Sequence, residues 1–594
     1  MRTARCAIAL VLAGATAAVP LARAQTSGRL PGLRVAPGVP PVSTASADCI
    51  LPPALPQQCV DGAIGNASPD SFNALTAAEV NAIVQAAAAS LDTNTMTVAV
   101  VDRAGRVLAL FRKPGADPAM DDQAVGVART AAFFSHNQAP LSSRTVRFIS
   151  GIHFPPGITN TPNAALYGIE NTNRGCDFNV SFNTGKCVPR ARSANGLPCN
   201  ATDASGCGPG IVTGKHQPAD SDPTAVNAGG ISLYRIPPSG LTQVQHGIVT
   251  GGKLAGGIGV VGVPGDSQLA EFAAVTGAFG ALNANVGAIV PVPAYPLPDP
   301  GNVFIDGLRL PFLGPDQRLT FDQNGLPNGL RRLSGTAAGN ASGTMVVAAA
   351  NGGCAENEYL SGPVAGSQLS QSDVDGIVQR AVSASKRTRG IIRLPLNSYA
   401  RMVMAVADLD GSILAIYRMP DATVFSIDVA VAKARNVIYF SSSDPHVASD
   451  LPGVPSGVAV TNRTIGFGAQ PLFPPGIDSS AFHVQNGPFY PLFLHDLAKP
   501  CSQGSQLTNA NRNGIVFFPG ATPLYRNGKL VGGLGISGDG VEQDDYVTYL
   551  AAGSFLPSQS IWADQTKIDG VRLPMFKFPR QPEGVTECGG KPCD

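Results

Sequence analysis

Charge is scarce in this 594-residue chain: only 14% of residues are Asp, Glu, Lys or Arg, and 42 basic against 41 acidic residues leave a net charge of +1. A near-neutral chain has no basic field to hold nucleic acid or an anionic membrane. No G-x-S-x-G and no H-E-x-x-H occurs, so neither a nucleophile elbow nor a zincin site has a local signature. There is no paired C-x-x-C and no Cys beside a His, which disfavours structural zinc and covalent c-type haem. After the first two dozen residues, no run is long and apolar enough to cross a bilayer.

The first 24 residues stand apart. Arg2 and Arg5 precede an apolar run from Cys6 to Ala18, and Ala22-Arg23-Ala24 fits a small-x-small cleavage site, the pattern of a secretory signal. Pro20 and the brevity of the apolar core argue against a membrane anchor. Removal leaves Cys49, Cys59, Cys176, Cys187, Cys199, Cys207, Cys354, Cys501, Cys588 and Cys593. An even number in an exported chain reads as disulfides. Sequence neighbours suggest Cys49–Cys59, Cys176–Cys187, Cys199–Cys207 and Cys588–Cys593, leaving Cys354–Cys501. The expected location is periplasmic or secreted.

What the chain has in abundance is self-similarity. Asp102 to Ser135 and Asp408 to Ser441 align without a gap, with 14 of 34 positions identical. Thr97 to Val101 and Val403 to Ala407 are short apolar runs suited to buried strands. A turn at Asp102 and Asp408 follows, with Gly105 and Gly411 free to take positive φ. The next strand ends at Arg112 and Arg418, and a mostly apolar helix comes after a Pro/Gly/Asp break. Each copy is preceded by a capping box, Thr76-x-x-Glu79 and Ser370-x-x-Asp373. Later landmarks recur in order: Arg144-Thr145 and Arg463-Thr464, Gly252 to Val260 and Gly528 to Ile536, then Ile305 to Pro311 and Ile568 to Pro574.

This organisation predicts a signal peptide (1–24), a linker (25–71), a first domain with a Cys-bearing insertion (72–312), a Gly/Ala/Ser-rich linker (313–365), a second domain (366–576) and a tail (577–594). The second copy carries about a dozen extra residues around Arg387 to Ala400, and its own insertion near 478–511.

Few residues invite chemistry. The two G-x-G-x-x-G matches, at Gly257 and Gly533, sit at the end of each unit, where a dinucleotide site would need the start of one. Gly257, Gly259, Gly532, Gly533 and Gly535 instead remove side chains, so that a helix or a flat ligand approaches the backbone closely. Arg129 and Arg435 share one helix position, with Lys433 nearby. They read either as surface charge or as a clamp for a carboxylate ligand. His136 and His446 follow the repeated helix in loops, either as solvated side chains or as iron ligands. Asp102 and Asp408 read as turn residues.

The runs Val98 to Arg112, Ala405 to Arg418, Ala432 to Arg435 and Gly528 to Gly538, with Gln543-Asp544-Asp545 downstream, together resemble the GlcG/HbpS-like haem-binding proteins. The resemblance covers both halves and excludes the linkers and insertions. It implies two profilin-like α+β domains, each an antiparallel sheet flanked by helices, and noncovalent binding of haem or a related small molecule, often in oligomers. The tandem is expected to pair within the chain or to form a homo-oligomer. The family's Lys survives only as Lys433, and its Thr only as Thr130. The Gln-Asp-Asp run corresponds in the first copy to Gln268-Leu-Ala-Glu271. A binding module therefore leads. An enzyme acting on a small organic acid, which would need a nucleophile and base that are not visible, and a disulfide-stapled scaffold are the alternatives.

Overall fold

A computed structural model describes residues 74–149, 166–169, 172–173, 227–243, 249–293, 302–471 and 473–585, except 306–307, 332–336, 353–358, 394–396, 475–484, 500, 510 and 584. The expected signal peptide, the first linker and nine of the ten mature cysteines lie outside the described residues.

The first half begins at the Thr76–Glu79 capping box, which opens α1 (Ala77–Ala89). The repeated core follows as β1 (Thr97–Asp102), β2 (Val107–Arg112) and α2 (Asp121–Phe134), then α3 (Ser143–Ile149). It continues through β3 (Gly230–Arg235), β4 (Lys253–Val261), α4 (Ser267–Ala278) and β5 (Ile289–Val290). β6 (Thr344–Val347) closes an antiparallel sheet of order β6-β2-β1-β4-β3-β5. Gly257 and Gly259 face α2, while Gly277 of α4 sits against Ile258 and Ala87. The sheet therefore lies between α2 on one face and α1 with α4 on the other.

The second half repeats this plan. Its elements are β7 (Tyr359–Ser361), α5 (Gln371–Arg387), β8 (Val403–Ala407), β9 (Ile413–Arg418), α6 (Phe425–Phe440), α7 (Asn462–Gly468), α8 (Tyr490–Ala498), β10 (Ala521–Arg526), β11 (Lys529–Ser537) and α9 (Val541–Ala552). The order is β7-β9-β8-β11-β10. Even the register repeats: Val101 faces Gly257 as Ala407 faces Gly533, and both hairpins shift register at the same step. Gly105 (φ 85°) and Gly411 (φ 81°) close the two turns. This is the α+β architecture expected, an antiparallel sheet flanked by helices, twice.

Two segments depart from expectation. Residues 313–365 were expected as a linker, yet they lend an edge strand to each sheet, β6 to β2 and β7 to β9. The open edges of β2 and β9 have unpaired backbone groups, which short passing strands satisfy. In the expected tail, the backbone of Arg389 donates to the Pro582 carbonyl and the Tyr546 hydroxyl donates to Glu583.

The halves pack on each other within the chain. Phe134 at the end of α2 stacks on Phe425 at the start of α6, with ring centroids 4.2 Å apart. The Val424 amide donates to the Phe133 carbonyl, and the Asn173 amide to Asp428 at 2.8 Å. Tyr167 joins the aromatic rings of Phe493 and Phe517. Arg103 of the first half pairs with Asp421 of the second at 2.7 Å.

Candidate functional site

The repeated glycines are explained by packing alone. A Cβ on Gly257 or Gly259 would lie 2.3 and 2.0 Å from the carbonyls of Ala128 and Ala124 in α2. On Gly533 and Gly535 it would lie 2.2 and 2.1 Å from those of Ala434 and Ala430 in α6. A Cβ on Gly532 would lie 2.7 Å from the Ala407 carbonyl. At Gly257, Gly259, Gly533 and Gly535 the space between helix and strand is therefore filled by the helix backbone itself, and at Gly532 by the neighbouring strand β8.

The shared arginines are also structural. Arg129 Nε donates to the Gly105 carbonyl at 2.7 Å, and Arg435 Nε to the Gly411 carbonyl at 2.9 Å. Each helix thus clasps the turn of its own hairpin. Burial pulls the Arg129 guanidinium down to about 10, against the opposing pull of Asp102. Arg435 also reaches Asn513 at 3.0 Å. A clamp for an external carboxylate is not what these residues form. The recurring Arg-Thr pairs fasten the C-terminal landmarks. Arg144 pairs with Glu271 and Arg463 with Asp545, while Thr145 and Thr464 donate to the carbonyls of Pro311 and Pro574.

Those pairs reset the correspondence between the halves. Glu271 is the counterpart of Asp545, so Ala270 is that of Asp544, and Gln268 is not that of Gln543. In the repeat alignment Lys433 faces Val127. Packing agrees: a Cβ on Gly229 would touch Ala270 and the Val260 carbonyl, and one on Gly520 would touch Asp544, Lys433 Nζ and the Ile536 carbonyl. The first half therefore holds Val127 and Ala270 where the second holds Lys433 and Asp544.

The Lys433–Asp544 pair is a buried polar feature of the second half, with apolar residues in its place in the first. Lys433 Nζ donates to Asp544 Oδ2 at 3.0 Å and to the Ile536 carbonyl at 2.7 Å, and lies 4.9 Å from the centroid of the Phe518 ring. Asp544 is 2% exposed and its Oδ1 has no hydrogen-bond partner among the described residues. Burial lifts the Asp544 carboxyl to about 7 despite Lys433, and burial likewise lowers the Lys433 ammonium.

Asp544 lines a cleft between the halves. Phe134, Leu141, Ile149, Leu166 and Ile169 form one wall; Ile391, Ile392, Thr423, Phe425, Phe518, Ser537 and Val541 form the other. The free volume is about 40 Å³, room for one or two waters and well below the ~300 Å³ of an ordinary small-molecule pocket. The site has mostly apolar walls broken by the Thr423 and Ser537 hydroxyls, and one buried carboxyl backed by the Lys433 ammonium.

Neither candidate histidine lines it. His136 is fully buried at the junction of the halves, where its Nδ1 accepts from the Gln138 amide at 3.2 Å. Burial, reinforced by Arg393, holds it well below the usual imidazole range. His446 sits at the surface with Nδ1 2.7 Å from Asp444 Oδ1, and its side chain is 41% exposed. The structure thus sets Lys433 against Asp544, behind the cleft lining, and leaves Arg129, Arg435, His136 and His446 elsewhere.

Several residues at the junction escaped sequence reasoning. Arg393 is buried and bridges Asp421 and Asp539, and Asp421 also takes Arg103 and the Asn137 amide. The available signal was the stretch around Arg387 to Ala400, present in one copy only, which ends up tying the two halves together. Phe518 and Phe425 carried no signal, because single aromatic residues in apolar surroundings read as core.

The family model described as haem degrading protein HbpS-like matches residues 72–180 and 383–552. The two matched stretches, together just under half of the chain, resemble HbpS-like domains arranged in tandem. An uncharacterised 15.0 kDa protein from the dhaT-dhaS intergenic region of Citrobacter freundii is 27% identical over 173 residues, covering 29% of this chain and 89% of that protein. Among solved structures, a PduOC complex with haem is 24% identical and covers 31% of this chain and 94% of its own, with a TM-score of 0.20. Klebsiella pneumoniae ORFY, of family model DUF336, is 20% identical over 31% of this chain and 88% of its own, also with a TM-score of 0.20. Among the described residues no helix is long and apolar enough to cross a membrane.

Proposed function

We propose that the chain binds a haem-related tetrapyrrole noncovalently in the cleft between its two HbpS-like domains, with the second domain supplying the polar end. The observation that carries this reading is the Asp544 carboxyl, buried beside Lys433 at the edge of an otherwise apolar wall, with Oδ1 unmet by any described residue. A buried polar atom left so is costly, and the Asp544 carboxyl, raised by burial to about 7, can when protonated donate to a propionate oxygen. The family description favours haem, and flat apolar walls with aromatic rings suit a flat apolar ring.

The fit to haem is incomplete in two respects. Among the described residues the cleft offers oxygen donors to iron, from Thr423, Ser537 and Asp544. On this reading the ring and its substituents supply most of the affinity. The small free volume means that the Phe134–Leu166 wall must separate from the Phe518–Val541 wall on binding. Titration of the full chain with haem should give a saturable one-to-one Soret change, and metal-free protoporphyrin IX should bind as tightly. Replacing Lys433 by Val together with Asp544 by Ala should weaken both by about ten-fold or more, the loss of a charged hydrogen-bonding pair. His446→Ala should leave the haem spectrum unchanged. Absence of any saturable change at micromolar haem sinks the proposal.

We also propose that the chain is exported and its mature cysteines oxidised. Cys501 is disulfide-bonded, and the cysteine number is even after removal of residues 1–24. Thiol counting on denatured protein from the exported fraction, without reductant, should find almost no free thiol; several would overturn this reading.

A further inference from the structure

We infer that the second domain carries a separate surface site for a planar aromatic carboxylate, built from α9 and the residues after it. Tyr549, Trp562, Phe576 and Phe578 surround a hollow of about 440 Å³ together with Arg572 and Gln559. That volume is in the range of pockets that hold one small molecule and about ten times the free volume of the inter-domain cleft.

The rings are held in a fixed frame. Trp562 meets Phe576 edge-on, with centroids 5.5 Å apart, and Tyr549 meets Phe576 at 5.7 Å. Phe578 lies 5.2 Å from Tyr549 and 6.1 Å from Phe576. Trp562 Nε1 donates to the Pro557 carbonyl at 3.0 Å, which orients the indole. Such rings present edges and faces on which another flat ring stacks. Phe578 remains 41% exposed although it belongs to this cluster.

The charge at the rim selects the ligand. Arg572 is exposed and makes no ion pair among the described residues. Asp564, also on the rim, accepts from the Gln565 side-chain amide at 3.0 Å. A guanidinium beside stacked rings favours a ligand with a carboxylate on a flat aromatic body, because the fork pairs with both oxygens.

The first domain shows why this face is distinctive. Its matching helix, α4, carries Val275 where α9 carries Tyr549, and a hairpin follows in which Leu319, Phe321 and Leu330 pack against the core. The same face of the fold is thus closed with apolar side chains in one domain and left hollow, aromatic and cationic in the other. This inference is independent of the tetrapyrrole reading.

Trp562 is the single tryptophan of the chain, so its emission reports this site alone. The full chain would be titrated with 2-naphthoate by calorimetry, with 2-naphthylmethanol as the uncharged counterpart and decanoate as the flexible one. Naphthoate should bind saturably and shield Trp562 from acrylamide quenching. The two controls should bind at least about ten-fold more weakly, as should naphthoate to Arg572→Gln, the loss of a charge-assisted pair. The Lys433→Val/Asp544→Ala variant should bind naphthoate normally, which separates this site from the inter-domain cleft. No saturable binding, binding without shielding of Trp562, or equal binding by Arg572→Gln would each overturn the inference.

Discussion

Replacing Lys433 alone by Val is expected to destabilise the second domain by about 3–5 kcal/mol, because it leaves the buried Asp544 carboxyl without its partner. Replacing Asp544 by Ala in the same protein should restore most of that loss. The first domain already holds Val127 and Ala270 in these places, and a buried ion pair exchanged for well-fitting apolar residues is often neutral in stability. Denaturant unfolding followed by Trp562 emission reads the second domain directly. The effect has a pH sign. Burial raises the Asp544 carboxyl to about 7 even beside Lys433, and removing the lysine pushes it higher. A carboxyl raised in the folded state contributes stability at pH below its unfolded value of ~3.9, and that contribution is lost as pH climbs through the folded value. The single variant should therefore be less destabilised at pH 5 than at pH 8. A double variant no more stable than the single would show that the two residues are not coupled.

The second large effect is expected at the strand glycines. Gly259→Val or Gly535→Val would drive a side chain into the helix backbone, at 2.0 Å from the Ala124 carbonyl or 2.1 Å from that of Ala430. No flexible group can yield there, so the helix must lift from the sheet. Each change should cost about 3 kcal/mol or more, at the upper end of overpacking effects, or prevent folding. Gly376→Ala is the matched control. It lies inside α5, where an added methyl meets only the end of Arg380 at 3.4 Å. It should stabilise by about 0.5–1 kcal/mol, since helix-interior glycine is unfavourable relative to alanine. Melting curves of the three variants compare these outcomes. A Gly535→Val protein as stable as the parent would mean that α6 does not lie on β11 as described.

Both predictions bear on how much could be read from residues alone. The duplication, the strand-turn-strand-helix order, the two capping boxes and the antiparallel α+β plan were legible because they rest on local rules. Apolar periodicity, turn glycines and Ser/Thr caps act within a few residues of one another. The close-approach role of the glycines was legible as well, but whether a helix or a ligand made the approach was not. A glycine shows only that a side chain is excluded; the neighbour that excludes it arrives from far along the chain.

The residues with chemistry followed the opposite course. By type and position Arg129 and Arg435 suit a ligand carboxylate, yet in the fold each donates from its guanidinium to a turn carbonyl of its own hairpin. Gln543-Asp544-Asp545 was aligned with Gln268 by residue identity, whereas the Arg144–Glu271 and Arg463–Asp545 pairs place it differently. Repeats, caps, strand register and the asymmetry between Lys433 and Val127 are thus written in the order of residues, because they depend on short-range sterics and on direct comparison of two copies. The inter-domain cleft, the Arg393–Asp421 junction, the edge strands drawn from 313–365 and the aromatic hollow around Trp562 exist only once distant segments meet. Their members are separated by tens to hundreds of residues, and burial, not spacing, sets which of them carry an unmet charge or an open ring face.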